Sequence, residues 1–175
     1  MTEINNKTIV ESLLFVSAEP LEINAVRDVI GRDNITPSEI KNLLDELAKE
    51  YDAQNRAFCL KEIAGGYQLF TREEFVNYIK QLGKRNTENK LTSAALETLS
   101  IIAYKQPVNK ADLESIRGVQ TGQLLKALME KGLVKIAGRQ DVPGKPLLYG
   151  TTDDFLQVLG LKSVEELPKP EELGK

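Results

Sequence analysis

The residues that come nearest to a reactive constellation are Gly138-Arg139-Gln140-Asp141-Val142-Pro143-Gly144-Lys145-Pro146. Glycines followed by a lysine are the parts of a phosphate loop, where backbone amides cradle phosphate and the lysine neutralises it. The detail fails. Five residues separate the glycines instead of four, and Pro146 follows Lys145 where a Ser or Thr must reach magnesium. The segment also falls between two strand patterns, with no helix N-terminus to receive an anion.

Paired carboxylates occur at Asp153-Asp154 and Glu165-Glu166. Both pairs sit at expected helix starts, where the macrodipole favours negative charge, so capping accounts for them. The chain has no histidine, which removes the commonest general base and the commonest metal ligand together. Its single cysteine, Cys59, makes no intramolecular disulfide and no zinc cluster, and its strand pattern places it in a core. No nucleophile stands beside a base with a third orienting group. The expectation is a protein that is not an enzyme, with no cofactor and no metal.

Nucleic-acid binding is the next chemistry to weigh. Net charge is −3 over 175 residues but uneven. Residues 1–83 hold nine Lys/Arg against fourteen Asp/Glu, a net of −5, and residues 84–151 hold eleven against six, a net of +5. Scattered solvated faces explain most of this, and the middle block keeps a weak nucleic-acid reading open. Tryptophan is absent and aromatics are 6%, so base-stacking platforms are not a theme.

The elements that would position any site are legible from periodicity and caps. Ile9, Leu13 and Val16, with Leu14 and Phe15 beside them, predict a helix over 6–17 that Pro20 stops. A short helix over 23–30 ends at Gly31. Thr36, Pro37 and Glu39 form a capping box ahead of Ile40, Leu43, Leu44, Leu47, Ala48 and Tyr51. Residues 57–63 and 67–71 read as strands turning at Gly65-Gly66, and Thr71 with Glu74 as a second capping box before Phe75, Ile79 and Leu82. Residues 84–90 are polar and predict a linker.

The second half repeats the plan. Thr92 caps a helix to about Tyr104, Asn109 caps one that Gly118 closes, and Thr121 leads into one carrying Leu124, Leu125, Leu128 and Met129. Residues 133–137 and 147–151 read as strands around a long polar loop, 138–146, and Thr152 caps a last helix to about Leu159. Ser163 and Glu166 are placed to cap one further turn. At an offset of 87, Phe15, Pro20, Leu21, Val26, Val29 and Gly31 fall on Ile102, Pro107, Val108, Leu113, Ile116 and Gly118; at an offset of 80, residues 71–75 fall on 151–155. Three helices followed by a two-stranded wing is the winged-helix plan, a helix-turn-helix variant. The fold expected is mainly α with small β-hairpins (α+β), as two tandem winged-helix domains at 1–83 and 91–162, with a short tail at 163–175.

In such units the third helix usually enters the DNA major groove. The first copy sets Lys41 and Lys49 against Glu39, Asp45, Glu46, Glu50 and Asp52, so phosphates would be repelled. The second offers Gln123, Lys126 and Lys131, with Lys135, Arg139 and Lys145 on the wing, enough for weak contact only.

The run Ala95-Leu-Glu-Thr-Leu-Ser-Ile-Ile-Ala-Tyr-Lys-Gln-Pro-Val108 closely resembles segregation and condensation protein B, the bacterial condensin accessory subunit. So do Ile116-Arg117-Gly118-Val119, Gly138-Arg139, Pro143-Gly144-Lys145-Pro146 and Leu148-Tyr149-Gly150-Thr151-Thr152; Glu11 to Val16 and Glu165 to Pro168 fit in order. The resemblance covers nearly the whole chain and is specific in its second half. It implies a cytoplasmic, nucleoid-associated protein that homodimerises through its N-terminal unit. It implies a partner, the kleisin subunit segregation and condensation protein A, and through it the chromosome-maintenance ATPase, acting in chromosome condensation and partition during cell division. DNA contact would be weak or indirect, with no membrane role; the rival is a winged-helix DNA-binding transcriptional regulator.

Partner-binding candidates are the matched positions of the second unit. Tyr104, Lys105, Gln106 and Pro107 end a helix, Arg117 and Gly118 form a turn, and Arg139, Gly144, Pro146 and Tyr149 belong to the wing. The competing reading is local: Pro107 and Gly118 punctuate helices, Gly144 and Pro146 shape a loop, and Tyr149 packs. Leu13, Leu14 and Phe15 are the dimer-interface candidates, because that helix looks more apolar than one small core needs.

Overall fold

The computed structural model describes residues 4–82 and 91–169. The chain divides into two compact units, Met1–Asn86 and Thr87–Lys175. The expected linker, and the tail beyond Lys169, lie outside the described residues.

The first unit runs α1 (Asn6–Val16), α2 (Ile23–Ile30), α3 (Pro37–Ala53), β1 (Phe58–Ile63), β2 (Gly66–Thr71) and α4 (Val76–Leu82). Thr36 caps α3 as its sequence dictates: its hydroxyl accepts from the Glu39 amide at 3.2 Å, and the Glu39 carboxylate accepts from the Thr36 amide at 2.8 Å. The α3 stripe Ile40, Leu44, Leu47 and Tyr51 then closes on Val10 and Leu14 of α1, Val26 of α2, Ile35 and Tyr67.

Several expectations need correction. Val16 is exposed, because the buried face of α1 runs Val10–Leu14, one turn apart, with Leu13 only partly covered. The hairpin turns at Ala64-Gly65, both with positive φ, and Ile63 pairs with Gly66. Gly66 is needed for a different reason: a Cβ there would lie 2.8 Å from the Pro20 carbonyl carbon, where Leu21 bridges to Tyr67. The Thr71–Glu74 box does not form. Thr71 ends β2 opposite Phe58, and a 3-10 turn over Glu73–Phe75 follows without a side-chain cap. Cys59 is half-exposed, since the two-stranded sheet is not covered along its whole length.

The second unit runs α5 (Ser93–Lys105), β3 (Val108–Asn109), α6 (Lys110–Arg117), α7 (Gly122–Glu130), β4 (Val134–Arg139), β5 (Leu147–Thr151) and α8 (Asp153–Leu159). Its three-stranded antiparallel sheet has the order β3-β5-β4. The third strand, β3, carries no signal in the sequence, because two residues are too few for any periodicity to register. Both units pair the residue after the first-helix proline with the hairpin, Leu21 with Tyr67 and Val108 with Tyr149. β4 runs on to Arg139 through a bulge between Ile136 and Gly138, so the wing loop is shorter than expected. Thr92, Asn109 and Thr152 cap their helices. Thr121 does not: it is buried, its amide donates to Glu114 Oε1 at 2.8 Å, and its hydroxyl has no hydrogen-bond partner. After α8, Val164–Glu166 makes a 3-10 turn without a Ser163 cap; Glu166 instead accepts from the Lys162 amide at 2.8 Å.

Candidate functional site: the α5 end and wing of the second unit

Gln106 sits where α5 stops, and its carboxamide is consumed inside the unit. Oε1 accepts from the Thr151 amide at 2.7 Å, while Nε2 donates to Thr151 Oγ1 at 3.0 Å and to the Ala103 carbonyl at 3.2 Å. Gly150 has no side chain because a Cβ there would stand 3.0 Å from Gln106 Oε1. Gln106 therefore fixes the wing sheet to the end of α5. The Gln106–Pro107 peptide is cis, and Pro107 is exposed. Tyr104 is partly exposed with its hydroxyl donating to the Pro168 carbonyl at 2.6 Å, and Lys105 is exposed.

Arg117 corrects the expectation of a charge presented on a turn. Its side chain is only 7% exposed and its Nη1 forms an ion pair with Glu97 of α5. Nε is buried without a hydrogen-bond acceptor. A guanidinium so placed ties α6 to α5 and is largely shielded from solvent. Gly118, with φ of 70°, closes α6 in the left-handed region where a side chain would be strained.

The wing candidates hold one another in place. Arg139 Nη1 donates to the Lys145 carbonyl at 3.2 Å, and the Gln140 amide to the Pro146 carbonyl at 2.9 Å. Gly144 and Lys145 both have positive φ at the wing tip. Asn109 Nδ2 donates to Gln140 Oε1 at 2.8 Å, which fastens the wing to the start of α6. Pro146 and Tyr149 are half-buried and line one groove together with Lys110, Ala111, Glu114 and Leu147. The candidates thus fall into two groups: the α5 end with the wing, joined by the Val108–Tyr149 pair, and Arg117 with Gly118 at the far end of α6. Lys110 and Ala111, which sequence reasoning passed over, also line the grooves, as do Lys126, expected only as a weak nucleic-acid contact, and Met129, expected only as part of the α7 stripe. The available signal was Met129 one turn beyond Leu125, on a helix whose core was already filled by Leu125 and Leu128.

Of the dimer candidates, Leu14 is 2% exposed and belongs to its own unit's core, Leu13 packs partly against that core, and Phe15 is 86% exposed. Titration is displaced at caps and ion pairs rather than in a cleft. The Thr36 amide and hydroxyl hold the Glu39 carboxyl below its ordinary value, and Lys7 does the same for Glu50. Burial, and a hydrogen bond to Glu11 at 3.0 Å, push the Tyr51 phenol up. Among the described residues no three His, Cys, Asp or Glu side chains are grouped to hold a metal ion, and no helix is long and apolar enough to cross a membrane.

The family described as segregation and condensation complex subunit ScpB matches residues 8–170. The chain is 46% identical to segregation and condensation protein B of Clostridium tetani, over 98% of this chain and 89% of the relative. It is 44% identical to that of Symbiobacterium thermophilum, over 95% and 74%. A crystal structure of a dimer of the ScpB N-terminal domain complexed with ScpA peptide is similar at a TM-score of 0.39 and 31% identity, over 43% of this chain and 91% of that one.

Proposed function

The chain belongs to the ScpB family of segregation and condensation complex subunits, and on that premise we propose that it is a homodimeric scaffold that binds a kleisin subunit. It acts without catalysing a reaction. It works in the cytoplasm on the nucleoid, where the kleisin links it to the chromosome-maintenance ATPase during chromosome condensation and partition. The first unit, residues 1–83, carries dimerisation; the second, 91–162, carries partner binding through the α5 end and wing.

One observation carries the dimer. Helix α4 buries none of its residues in its own unit, although it presents Val76, Tyr78, Ile79 and Leu82. Seven residues are too few to hold a helix in water alone. Apolar surface of this kind marks an interface. Phe15 offers further surface of the same chemistry at the end of α1. The DNA-regulator reading is weaker, because α3 carries carboxylates where phosphates would lie, and Lys7 is already engaged by Glu46 and Glu50.

Size-exclusion chromatography with light scattering tests the reading, on the chain alone and with the kleisin from the same genome. A dimer that shifts to a stable heavier complex is expected. A monomer that ignores the kleisin and retards duplex DNA at moderate salt would overturn it.

A further inference from the structure

Asn109 does three things in the second unit. Its backbone belongs to β3 and pairs with Leu148. Its Oδ1 accepts from the Asp112 amide at 2.9 Å and so caps α6. Its Nδ2 donates to Asp112 Oδ2 at 2.7 Å and to Oε1 of Gln140 at 2.8 Å, 31 residues on in the wing. We propose that Asn109 is a positioning residue for kleisin binding: through Gln140 it sets how far the wing stands from α6, and that spacing decides how readily the second unit accepts its partner. The proposal rests on the kleisin reading above and adds the residues that hold the wing in its binding position.

The first unit does without this tether. At the offset of 87 that aligns the two copies, Leu21 and Glu22 fall on Val108 and Asn109. Leu21 pairs with its hairpin as Val108 does, but Glu22 starts α2 without a side-chain cap. The first hairpin turns tightly at Ala64-Gly65, leaving no long tip to hold. The second passes from Arg139 to Leu147 through residues 140–146. The winged-helix plan therefore folds without the contact, and the contact appears where the wing is long.

The tip needs an outside anchor. Three of its hydrogen bonds stay within the wing: Arg139 Nη1 to the Lys145 carbonyl at 3.2 Å, the Gln140 amide to the Pro146 carbonyl at 2.9 Å, and the Lys145 amide to the Val142 carbonyl at 2.9 Å. They shape the tip without fixing where it stands. β4 is an edge strand with a bulge between Ile136 and Gly138, and a bulge interrupts the ladder and bends the strand. Asn109, by contrast, is only 8% exposed and is held by both β3 and α6. Pro146 and Leu147 of the wing and Lys110 and Ala111 of α6 line one cavity of about 350 Å³, whose width follows the tether. A wing that wanders is competent for only part of the time, and apparent affinity falls by that fraction. The net share of one neutral hydrogen bond corresponds to about a two- to tenfold change.

The test uses the full chain and the full-length kleisin of the same genome, read by association and dissociation kinetics. Gln140→Met keeps the length and removes the acceptor. Asn109→Ser removes the donor, while its hydroxyl still caps α6. Each is expected to slow association about two- to tenfold with dissociation unchanged, and to quicken hydrogen exchange at the residue-140 amide. The double variant should be no slower than the slower single, because both cut one contact. Gln140→Glu, whose carboxylate still accepts from Asn109, should recover at least half of the lost rate. Gln140 is half-buried, so Gln140→Met should leave the melting temperature unchanged, and it alone decides the matter if Asn109→Ser lowers it. A loss confined to the dissociation rate would make Gln140 a direct partner contact and overturn the proposal. Additive losses in the double variant would overturn it too. A kleisin that binds and is indifferent to both variants sinks the positioning role and leaves the kleisin reading standing; if the parent chain binds no kleisin, both fall.

Discussion

Gln106 holds Thr151 twice, accepting from its amide at 2.7 Å and donating to its hydroxyl at 3.0 Å across 45 residues of chain. The pair fixes the wing sheet against the end of α5. Gln106→Leu keeps the bulk and removes the hydrogen bonds, leaving a part-buried amide and hydroxyl unmet. The second unit is expected to lose about 1–3 kcal/mol, read as a lower chemical-denaturation midpoint. Kleisin binding should weaken with it, because the wing loses its fixed position.

Arg117 and Arg139 looked equivalent as matched cations, and the structure separates them. Arg117→Glu places a carboxylate in a site only 7% exposed, beside Glu97, and should cost on the order of 3 kcal/mol. Arg139→Glu loses one exposed hydrogen bond, to the Lys145 carbonyl, and should stay within about 0.5 kcal/mol. Melting curves of the two variants check this before any binding assay. Equal melting temperatures would mean that Arg117 is not buried in solution.

Gly66 and Gly65 are adjacent, and alanine should harm them for different reasons. At Gly66 the new Cβ meets the Pro20 backbone at 2.8 Å, and backbone cannot swing aside. At Gly65 space is open and only the positive φ of 77° resists. Gly65→Ala is expected to cost about 1 kcal/mol and Gly66→Ala about 1–3 kcal/mol. The order of the two denaturation midpoints is the check.

The first unit should lose stability in acid before it does in base. Hydrogen bonds from Thr36 hold the Glu39 carboxyl below its ordinary 4.5, and Lys7 does the same for Glu50. A carboxyl depressed in the folded state stabilises above its unfolded value, and that stability drains away as pH falls from about 4.5 through the folded value. Lys7 is raised above 10.5 by Glu46 and Glu50, so its share persists until pH rises past 10.5. Lys7→Met should flatten the acid limb of a plot of urea midpoint against pH, while Thr36→Ala lowers the whole curve by about 1 kcal/mol through the lost cap.

What the sequence declared plainly was local. Thr36-Pro37 with Glu39, the Asn109 and Thr152 caps and the glycines closing α2 and α6 each fix their own few residues. What it concealed depended on distant contacts. The two-residue strand at Val108 exists because Tyr149 is there to pair with it. Arg117 reads as a surface cation until α5 is laid over it. Leu14 and Phe15 are neighbours of similar hydrophobicity, and only the packing of α3 assigns one to the core and the other to solvent.

That assignment gives the sharpest test of how the chain self-associates. Leu14→Ala removes buried methyl groups and should cost about 2–5 kcal/mol whatever the oligomeric state. Leu82→Asp alters a side chain 89% exposed within its own unit, so a monomer should barely feel it. If α4 is covered by a second copy, Leu82→Asp should halve the light-scattering mass. It should also abolish the rise of melting temperature with protein concentration that an associating parent shows. Phe15→Asp, also on exposed surface, should act in the same direction if the end of α1 shares the interface. A parent whose melting temperature is flat with concentration would leave α4 uncovered by its own kind, and would hand its apolar face to a different partner.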